Sequence, residues 1–366
     1  MKTVGIAGGG QLGRMLADAA HRLGLRVVTL DPESRGPAGQ VSDEQIEGDY
    51  KDATMIRALA GKSDVLTYEI ESVNAEALQQ LAVEGFPVHP TPRTLAIIKD
   101  KLRQKEFLKE HGIAVAPFCE PQDAESLGYP YVLKARSGGF DGRGNATVAD
   151  VSALAEALGK IGNVPAYAEG FVRFDKELAV VAARTASGEI RLYPVVETIH
   201  KDHICDTVIA PAQVDKKIAD KAEHLAHSVL ASFEGAGVFA IEMFLSGDEV
   251  VVNEVAPRVH NSGHWTIEGA VTSQFEQHIR AITGMPLGDT AMAAPAAVMI
   301  NILGERNGPA EPKGVEEAEK IPGVKVHIYG KMETRKQRKM GHITAVADTL
   351  DQAKGSALKA RDIITI

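Results

Sequence analysis

The sequence predicts an α/β protein that begins with a doubly wound parallel sheet. In the first part of the chain, short apolar strands alternate with helical segments, and this alternation is typical of β–α–β units. The rest of the chain has two strand-rich units of another kind, one with a second glycine-rich loop and one with an acidic hairpin. These units indicate α+β organisation, so we expect three domains, at residues 1–97, 98–185 and 186–366.

The first domain follows from its pattern of strands, turns and helices. The predicted strands are Thr3–Ala7, Arg26–Asp31, Val65–Tyr68 and Phe86–His89, and the predicted helix spans about Gln11–Leu23. A glycine-rich turn separates the first strand from that helix. Thr91 and Pro92 close the domain, and one charged helix, Leu95–His111, leads onward.

Two further domains are expected after this helix. In the second, the strands Tyr131–Lys134, Ala166–Phe171 and Glu177–Ala183 accompany a glycine-rich loop. In the third, the expected elements are a strand at Leu192–Val196, a helix at Asp215–Phe233, a hairpin from Val238 to Val252, a helix at Ser273–Ile282 and a strand at Ala297–Ile302. No internal repeat or low-complexity tract interrupts them, so the whole chain is expected to fold.

The composition disfavours several classes of partner and site. The 366 residues include 40 basic and 49 acidic side chains, and the net charge of −9 disfavours nucleic acid and anionic membranes as partners. Cys119 and Cys205 lack the spacing of metal ligands, which excludes a cysteine-rich zinc site and fits a reducing cytoplasm. No apolar run reaches the roughly 20 residues of a membrane span. A strand begins at Thr3, so we expect no signal peptide.

Two acidic residues stand on the predicted hairpin. Apolar residues alternate along both arms, and the alternation breaks at residues 246–249. A three-residue turn at Gly247–Glu249 pairs Glu242 directly with Glu254, whereas a two-residue turn places Asn253 opposite Glu242. We predict the first register. Two carboxylates on one buried face need a cation between them, and Mg²⁺, which prefers carboxylate and phosphate oxygens, is the natural choice.

The segment after the hairpin is dense in hydrogen-bond donors. Its polar side chains are Arg258, His260, Asn261, Ser262 and His264. Pro257 and Gly263 make the segment a poor helix or strand, and its donors suit phosphate or carboxylate oxygens. We interpret it as a binding site rather than as a polar surface loop.

The first glycine loop has several interpretations. Residues 8–13 satisfy the GxGxxG pattern between a strand and a helix, and Asp31 ends the next strand, as in a dinucleotide site. This pattern is consistent with an NAD-dependent oxidoreductase. The same loop can also serve a phosphorylated substrate, or can be a tight turn that needs glycine. The motif alone leaves these alternatives open.

The second glycine loop favours a nucleoside triphosphate. Lys134 ends a strand, and residues 137–144 contain four glycines before a strand-like run that begins at Asn145. A hairpin lid beside a buried lysine suits the phosphates of ATP, because backbone N–H groups surround the oxygens and the lysine supplies charge. We predict that the strand around Glu169 binds adenine through its backbone and that Glu177 reaches a ribose hydroxyl. Alone, these two acids would indicate only a solvated strand face.

Two further groups of charged residues are candidates. Glu69 and Glu71 follow the strand Val65–Tyr68, at the carboxyl end of a parallel sheet, where such sheets bind ligands. A basic cluster in this acidic chain consists of Lys331, Arg335, Lys336, Arg338 and Lys339. The cluster is either a solvated face or a phosphate site, and the sequence leaves both alternatives open.

Together these motifs resemble those of the ATP-grasp superfamily and, within it, of the N5-carboxyaminoimidazole ribonucleotide synthases. The similarity covers nearly the whole chain, in the segments GGGQLGRM from Gly8, TYEIE from Thr67, GGFDGRG from Gly138, NEVAPRVHNSGHWT from Asn253 and GK…RKMGH from Gly330 to His342. The resemblance implies an ATP-grasp fold preceded by a Rossmann-like pre-ATP-grasp domain.

The resemblance also implies which residues form the site. ATP would be bound by Lys101, Lys134, Gly139, Phe140, Asp141, Gly142, Arg143, Gly144, Asn145, Glu169, Gly170, Phe171, Val172, Glu177, His200, Asn253 and Glu254. Glu242 and Glu254 would hold Mg²⁺. Aminoimidazole ribonucleotide and bicarbonate would lie among Gln11, Leu12, Glu69, Asp141, Arg143, Arg258, His260, Asn261, Lys331, Arg338 and Lys339. The catalytic residues would be Arg258, Asp141, Arg143 and Lys134.

The implied reaction is the ATP-dependent carboxylation of 5-aminoimidazole ribonucleotide by bicarbonate, through carboxyphosphate, in de novo purine biosynthesis. The expected cofactors are ATP and Mg²⁺, for which Mn²⁺ can substitute. The family suggests a homodimer in the cytoplasm, without a nucleic acid or membrane partner. A related alternative is a formate-dependent glycinamide ribonucleotide transformylase, which shares the fold, the ATP site and a GxLG loop. The segments HNSGHWT and GGFDGRG favour the carboxylase.

Overall fold

The computed structural model describes residues 1–139 and 144–366, and its first part is a parallel sheet. In chain order, the elements of this part are β1 (Thr3–Ala7), α1 (Gln11–Arg22), β2 (Arg26–Asp31), β3 (Glu44–Glu47), α2 (Ala53–Ala60), β4 (Val65–Tyr68), α3 (Ala75–Val83) and α4 (Pro92–Ile98). The four strands pair in the order β3–β2–β1–β4. A single parallel bridge from Leu66 to Val88 stands where the strand Phe86–His89 was predicted.

Helices cover both faces of this sheet, so the predicted doubly wound arrangement is confirmed. Successive residues of a strand point to opposite faces. Accordingly, Val4 and Ile6 of β1 are buried in the same apolar cluster as α1, whereas Ala7 is buried with residues of α2 and α3. The glycine loop between β1 and α1 therefore opens at the carboxyl edge of the sheet, where open α/β sheets bind ligands.

The second part is a small antiparallel sheet. Its elements are α5 (Lys101–Glu110), β5 (Phe118–Cys119), β6 (Tyr131–Ala135), β7 (Asn145–Val148), α6 (Leu154–Lys160) and β8 (Ala166–Gly170), and the strand order is β5–β8–β6–β7. The single helix predicted at Leu95–His111 is instead α4 followed by α5. The reason is Asp100, whose carboxylate accepts the N–H groups of Leu102 and Arg103 and so begins a new helix.

The third part is built on a large antiparallel sheet. Its elements are β9 (Lys176–Arg184), β10 (Ile190–Leu192), β11 (Val196–Lys201), β12 (Ile204–Ala210), α7 (Lys216–Ser232), β13 (Gly237–Ser246), β14 (Glu249–Ala256), α8 (Thr266–Gly269), α9 (Gln274–Thr283), β15 (Ala296–Leu303), β16 (Gly308–Pro309), α10 (Val315–Ala318), β17 (Val324–Ile328), β18 (Glu333–Thr334), β19 (Lys339–Ala347) and α11 (Leu350–Ile363). In the described parts of the chain, no helix is both long enough and apolar enough to cross a membrane.

The large sheet has the order β14–β13–β9–β11–β12–β15–β19–β17, with β10 paired to β9. The strand Glu177–Ala183, which the sequence analysis assigned to the second domain, is part of β9 and lies inside this sheet between β13 and β11. Its apolar pattern predicts a buried strand but does not identify the sheet that receives it. The small sheet ends at Gly170, and residues 171–175 connect the two sheets.

One apolar core joins the parallel sheet to the large sheet. Leu16 of α1, Ile279 of α9 and Val238 of β13 are fully buried in the same cluster. The small sheet has a separate cluster around Leu133 and Val148. Burying each such side chain stabilises the folded state by about 1.5–3 kcal/mol. The shared core therefore holds the first glycine loop in a fixed position relative to the large sheet.

Candidate active site

Glu242 and Glu254 are direct neighbours across β13 and β14. The turn between these strands has two residues, Gly247 and Asp248, so the predicted three-residue turn is wrong. That turn alone would place Asn253 opposite Glu242. However, the register shifts between Glu242 and Met243, where β14 contains one extra residue in a β-bulge. The predicted pairing of the two acids is therefore confirmed, but a bulge produces it.

The bulge directs Asn253 and Glu254 to the same face of the sheet. Val252 and Val255, although three residues apart, are both buried in the apolar cluster that includes α7. In a regular strand, residues three apart point to opposite faces. The bulge thus leaves both intervening residues on the other face, together with Glu242.

Two lysines contact this acidic face. Lys101 Nζ lies 2.9 Å from Glu254 Oε2, and Lys134 Nζ lies 3.2 Å from Asn253 Oδ1. Lys101 begins α5 and Lys134 belongs to β6 of the small sheet. The predicted residues Lys101, Lys134, Asn253 and Glu254 therefore meet where the small sheet adjoins the large one.

The two paired carboxylates differ in their affinity for a proton. Burial and the charge of Glu254 raise the pKa of Glu242 to about 7. Burial also opposes ionisation of Glu254, but Lys101 outweighs it and holds the pKa of Glu254 below its usual value. The side chains of Glu242 and Glu254 are 30% and 39% exposed. A ligand at the junction of the small and large sheets, which we call the cleft, can therefore reach both.

The acidic face fits a divalent cation. Two carboxylates and the Asn253 amide oxygen are hard oxygen donors, and burial together with the charge of Glu254 raises the pKa of Glu242. Within residues 1–139 and 144–366, no group of three or more His, Cys, Asp or Glu side chains is arranged to hold a metal. Phosphate oxygens and water would complete the coordination that Mg²⁺ requires.

Glu169 joins two lysines in the interior of the site. Its Oε1 lies 2.5 Å from Lys134 Nζ, and its Oε2 lies 2.8 Å from Lys105 Nζ. Burial opposes ionisation of Glu169, but the two ammonium groups lower its pKa to about 2. Lys105 is a site residue that the sequence analysis missed, because a lysine in a charged helix is usually solvated.

β8, the strand that carries Glu169, has a hydrogen-bonded strand on each side. β8 lies between β5 and β6, so the backbone of Glu169 is inside the small sheet. The backbone N–H of Gly170 donates to Pro117 O at 2.8 Å. Of the residues predicted to bind adenine, only Phe171 and Val172 lie beyond the paired strand, and Phe171 is 45% exposed.

Glu177 and His200 form a pair beside the acidic face. Glu177 Oε2 lies 2.7 Å from His200 Nδ1. Burial disfavours the protonated imidazole, but the adjacent carboxylate raises the pKa of His200 above its usual value. The structure brings these two predicted residues together, with Glu177 on β9 and His200 on β11.

The second glycine loop closes a hairpin of β6 and β7, in which Lys134 is opposite Asn145. Ala135 N–H donates to Gly144 O at 2.7 Å. Gly144 has φ +83°, and a Cβ added to it would lie 3.3 Å from Gly139 Cα, so the two ends of the loop meet closely. The predicted residues Phe140, Asp141, Gly142 and Arg143 lie outside the described residues.

Arg258 faces the acids that follow β4. Its Nη2 lies 2.7 Å from Glu71 Oε1, whereas its buried Nε has no hydrogen-bond partner among the described residues. The structure thus brings the carboxyl end of this parallel strand next to Arg258. One buried guanidinium donor of Arg258 is therefore unsatisfied among the described residues, which costs stability unless water or a ligand reaches it.

Two buried amides hold the loop that follows Arg258. Gln274 Oε1 accepts the N–H of His260 at 2.9 Å, and Gln274 Nε2 donates to His260 O at 2.7 Å. Asn261 and Asn301 exchange two side-chain hydrogen bonds, of 3.0 and 2.6 Å. Gln274 and Asn301 were not predicted as site residues, since buried amides on a helix and a strand carry no motif.

The first glycine loop is filled by carboxylates of the chain itself. Asp31 Oδ2 accepts Gly9 N–H at 2.7 Å, and Glu69 accepts the N–H groups of Gly10 and Gly13 at 2.6 and 2.8 Å. These are the donors that a dinucleotide pyrophosphate would need. Two acids already at the loop would also repel it, so the structure disfavours the dinucleotide interpretation. Gln11 and Leu12 begin α1 between these bonded glycines.

The basic cluster separates into two groups. Arg335 is paired with Glu333 on the surface, and Lys336 is exposed. Lys331 donates to Lys339 O at 2.6 Å, and burial together with Arg338 lowers the pKa of Lys331 to about 8. Gln40 Nε2 donates to Gly330 O at 2.7 Å, so Lys331, Arg338 and Lys339 lie at the contact between the first domain and the large sheet.

Comparisons with known proteins agree with this organisation. The sequence matches the ribonucleotide synthetase preATP-grasp domain over residues 1–99, the ATP-grasp domain over residues 106–275 and the phosphoribosylaminoimidazole carboxylase C-terminal domain over residues 297–356. It is 47% identical to the phosphoribosylaminoimidazole carboxylase of Ogataea methanolica, over 95% of the chain, and spans 67% of that relative's length.

Two solved structures are similar over almost their full length. The N5-carboxyaminoimidazole ribonucleotide synthetase of Thermotoga maritima has a TM-score of 0.91 at 47% identity, with 100% of this chain and 99% of that chain covered. The N5-carboxyaminoimidazole synthase of Aspergillus clavatus, in complex with ADP and 5-aminoimidazole ribonucleotide, has a TM-score of 0.91 at 39% identity, with 99% and 98% covered.

Proposed function

The chain belongs to the N5-carboxyaminoimidazole ribonucleotide synthase family of ATP-grasp proteins, and from this premise we propose that it carboxylates 5-aminoimidazole ribonucleotide with ATP and bicarbonate in purine biosynthesis. The observation that carries the proposal is the meeting of three groups in one cleft. These are the paired acids Glu242 and Glu254, Lys134 against Asn253, and Arg258, whose charge acts on Glu254.

ATP would lie between the small and large sheets. Lys101 and Lys134 would supply positive charge for the phosphates, and Gly139, Gly144 and Asn145 would offer backbone groups to them. Phe140, Asp141, Gly142 and Arg143 are proposed to bind ATP as well. The backbone of Phe171 and Val172, beyond β8, would bind the base, while Glu177 and His200 would face the ribose. The Aspergillus clavatus structure contains ADP, which supports a nucleotide in this fold.

Glu242 and Glu254, with Asn253, would hold Mg²⁺, for which Mn²⁺ can substitute. When bound, the ion supplies positive charge that stabilises a transferring phosphoryl group. Without a bound ion, the ammonium group of Lys101 supplies part of this positive charge through its contact with Glu254. The basis of the proposed metal site is the pairing of the Glu242 and Glu254 carboxylates on one face, with the Asn253 amide oxygen beside them.

The proposed chemistry has two steps. A bicarbonate oxygen attacks the γ-phosphorus of ATP, the bond to ADP breaks, and carboxyphosphate forms. The exocyclic amine of the ribonucleotide then forms a bond to the carboxyl carbon, or to CO₂ released from it, while inorganic phosphate leaves and the amine loses a proton. The guanidinium of Arg258, whose buried Nε has no partner among the described residues, would hold the bicarbonate, and Glu71 orients it. Asp141 and Arg143 are proposed to complete the acceptor site.

The ribonucleotide would occupy the contact between the first domain and the large sheet. Lys331, Arg338 and Lys339 are proposed to bind its phosphate, because they place three cations within one polar region of an acidic protein. His260 and Asn261 lie on the loop that Gln274 and Asn301 hold in place. Gln11, Leu12 and Glu69 would contribute from the side of the first glycine loop.

Steady-state turnover tests the proposal directly. ADP release is measured with Mg-ATP and bicarbonate, with and without aminoimidazole ribonucleotide. We expect strong, bicarbonate-dependent stimulation by the ribonucleotide. Turnover with formate and glycinamide ribonucleotide instead would favour the related transformylase, and turnover with neither acceptor would contradict both assignments.

We also propose an oligomeric state and a cellular location from the family to which the chain belongs. The family suggests a homodimer in the cytoplasm. Sedimentation of the purified protein at several concentrations would show whether it associates as a dimer.

A further inference from the structure

Lys105 contacts both sheets from the interior of the protein. It lies on α5 and is only 1% exposed. Its Nζ lies 2.8 Å from Glu169 Oε2, on β8 of the small sheet, and 3.1 Å from Val252 O, on β14 of the large sheet. A buried ammonium group with two acceptors in different sheets is a specific connection between them.

The position of α5 places two lysines on the same side of the cleft. Lys101 and Lys105 are four residues apart, which puts them on one face of the helix. The start of α5 is fixed to the end of β6, since Arg136 Nη2 lies 2.6 Å from Asp100 Oδ2 and Lys101 N–H donates to Arg136 O at 2.7 Å. Lys105 thus acts from a helix that is tied to the strand carrying Lys134.

Glu169 has one negative charge, whereas its two lysine partners have two positive charges. Glu169 gives one carboxylate oxygen to Lys134 and the other to Lys105, so one negative charge lies between two ammonium groups. Because the carboxylate is shared, it neutralises Lys134 less completely than it would in a simple pair. The part of the Lys134 charge that Glu169 leaves unpaired acts at the cleft, on Asn253 and Glu254 of the acidic face.

We propose that Lys105 is a positioning residue for the nucleotide, which fixes and shares Glu169 so that Lys134 directs its charge into the cleft. Lys105 touches no substrate, and its effect passes through Glu169. The inference rests on the proposed function, because it assumes that Lys134 faces the phosphates of ATP.

The variant Lys105→Met tests this role. Methionine has a similar length without charge, so Glu169 would pair with Lys134 alone and neutralise it. We expect the Kd of ATP, measured by titration calorimetry, to rise about tenfold or more. The melting temperature should fall as well, since Glu169 Oε2 and Val252 O lose a buried donor, so stability and ATP affinity are measured separately. Lys105→Gln, which keeps a hydrogen-bond donor but not the charge, should weaken ATP binding similarly and serves if the methionine variant does not fold.

The control on the same helix is Lys109→Met. Lys109 is exposed, one turn beyond Lys105, and lies over the ring of Phe118 rather than in the cleft. We expect the Lys109→Met variant to bind ATP with wild-type affinity.

A double-mutant cycle with Glu169→Gln separates positioning from general destabilisation. If Lys105 acts through Glu169, the loss caused by Lys105→Met should disappear in the Glu169→Gln background. Wild-type ATP affinity in Lys105→Met, or an equal loss in both backgrounds, would overturn the inference. A lower melting temperature with unchanged affinity would do the same. Failure of the wild-type protein to bind ATP would overturn the proposed function itself.

Discussion

Glu254 stands opposite Glu242 because one extra residue, Asn253, is accommodated in β14 between the acid and the turn. Without this bulge the two-residue turn would place an amide opposite Glu242. The structure thus concentrates two negative charges on one face at a cost in stability, which is common where a site must bind a cation. The consequences can be measured through Glu242, whose pKa is strongly raised.

We expect Glu242→Gln to separate stability from metal binding. The change removes the repulsion between two carboxylates, so the metal-free variant should be more stable than the wild type by about 1–2 kcal/mol near pH 8. Mg²⁺ at about 100 times its Kd should stabilise the wild type by about 2.7 kcal/mol, and this increase should be lost in the variant. Thermal unfolding with and without Mg²⁺ measures both effects. An equal Mg²⁺ effect in both proteins would contradict the metal assignment.

The stability of the metal-free protein should depend on pH through the same residue. The folded-state pKa of Glu242 is about 7, above the ordinary carboxyl value of 4.5. Between these values the folded state keeps a proton that the unfolded state has released. The stabilisation is therefore complete below the unfolded pKa and is lost as the pH rises through about 7. The melting-temperature advantage of Glu242→Gln should grow over this range, and a constant difference would show that Glu242 does not titrate there.

Mg²⁺ binding should weaken as the pH falls below about 7, because the ion must displace the proton from Glu242. Titration calorimetry in buffers of different ionisation enthalpy should detect the released proton. Near pH 8 this release should be small, since Glu242 is then ionised in the metal-free protein.

Arg258→Lys should impair the reaction without unfolding the protein. Lysine can still pair with Glu71, but it lacks the Nε donor that has no partner in the structure. We expect kcat/KM for bicarbonate to fall about a hundredfold, as for the loss of one preorganised oxyanion donor. The matched control is Arg57→Lys, at an exposed pair with Glu84, which should leave turnover unchanged. Normal bicarbonate kinetics in Arg258→Lys would exclude Arg258 from that role.

Two helical glycines should respond in opposite ways to alanine. A Cβ at Gly13 would lie 2.8 Å from the backbone oxygen of Gly8, whereas a Cβ at Gly355 meets nothing within 4 Å. We expect Gly13→Ala to destabilise by about 1–3 kcal/mol and Gly355→Ala to stabilise by about 0.5–1 kcal/mol. Melting temperatures test both. If Gly13→Ala left the melting temperature unchanged, the first glycine loop would tolerate a shift away from Glu69.

Much of the fold could be predicted from the sequence, because its strands and helices have strong local patterns. β2 and β4 begin and end where the short apolar runs predict. The position of β9 could not be predicted in the same way, since an apolar strand does not indicate which sheet will bury it. The division of α4 from α5 depends on the side-chain cap at Asp100, a signal that an unbroken charged pattern conceals.

The site shows the same limit. Motifs predicted the pairing of Glu242 with Glu254 and the importance of Lys134, but the bulge at Asn253 has no sequence signature. Lys105, Gln274 and Asn301 have the composition of ordinary helix or strand residues. Their roles arise only when elements distant in sequence come together, as in the contact of Lys105 with Glu169.

The shared apolar interior of α1, α9 and β13 makes the parallel sheet and the large sheet one cooperative unit of folding. Amide protons of β1 should therefore exchange with solvent only when the large sheet opens as well. The small sheet, with an interior of its own, can open separately, and the amides of β6 and β8 report that opening. The cleft thus lies between two parts of the chain that have separate apolar interiors and are joined by polar contacts such as those of Lys105, and a nucleotide bound there would add to these contacts.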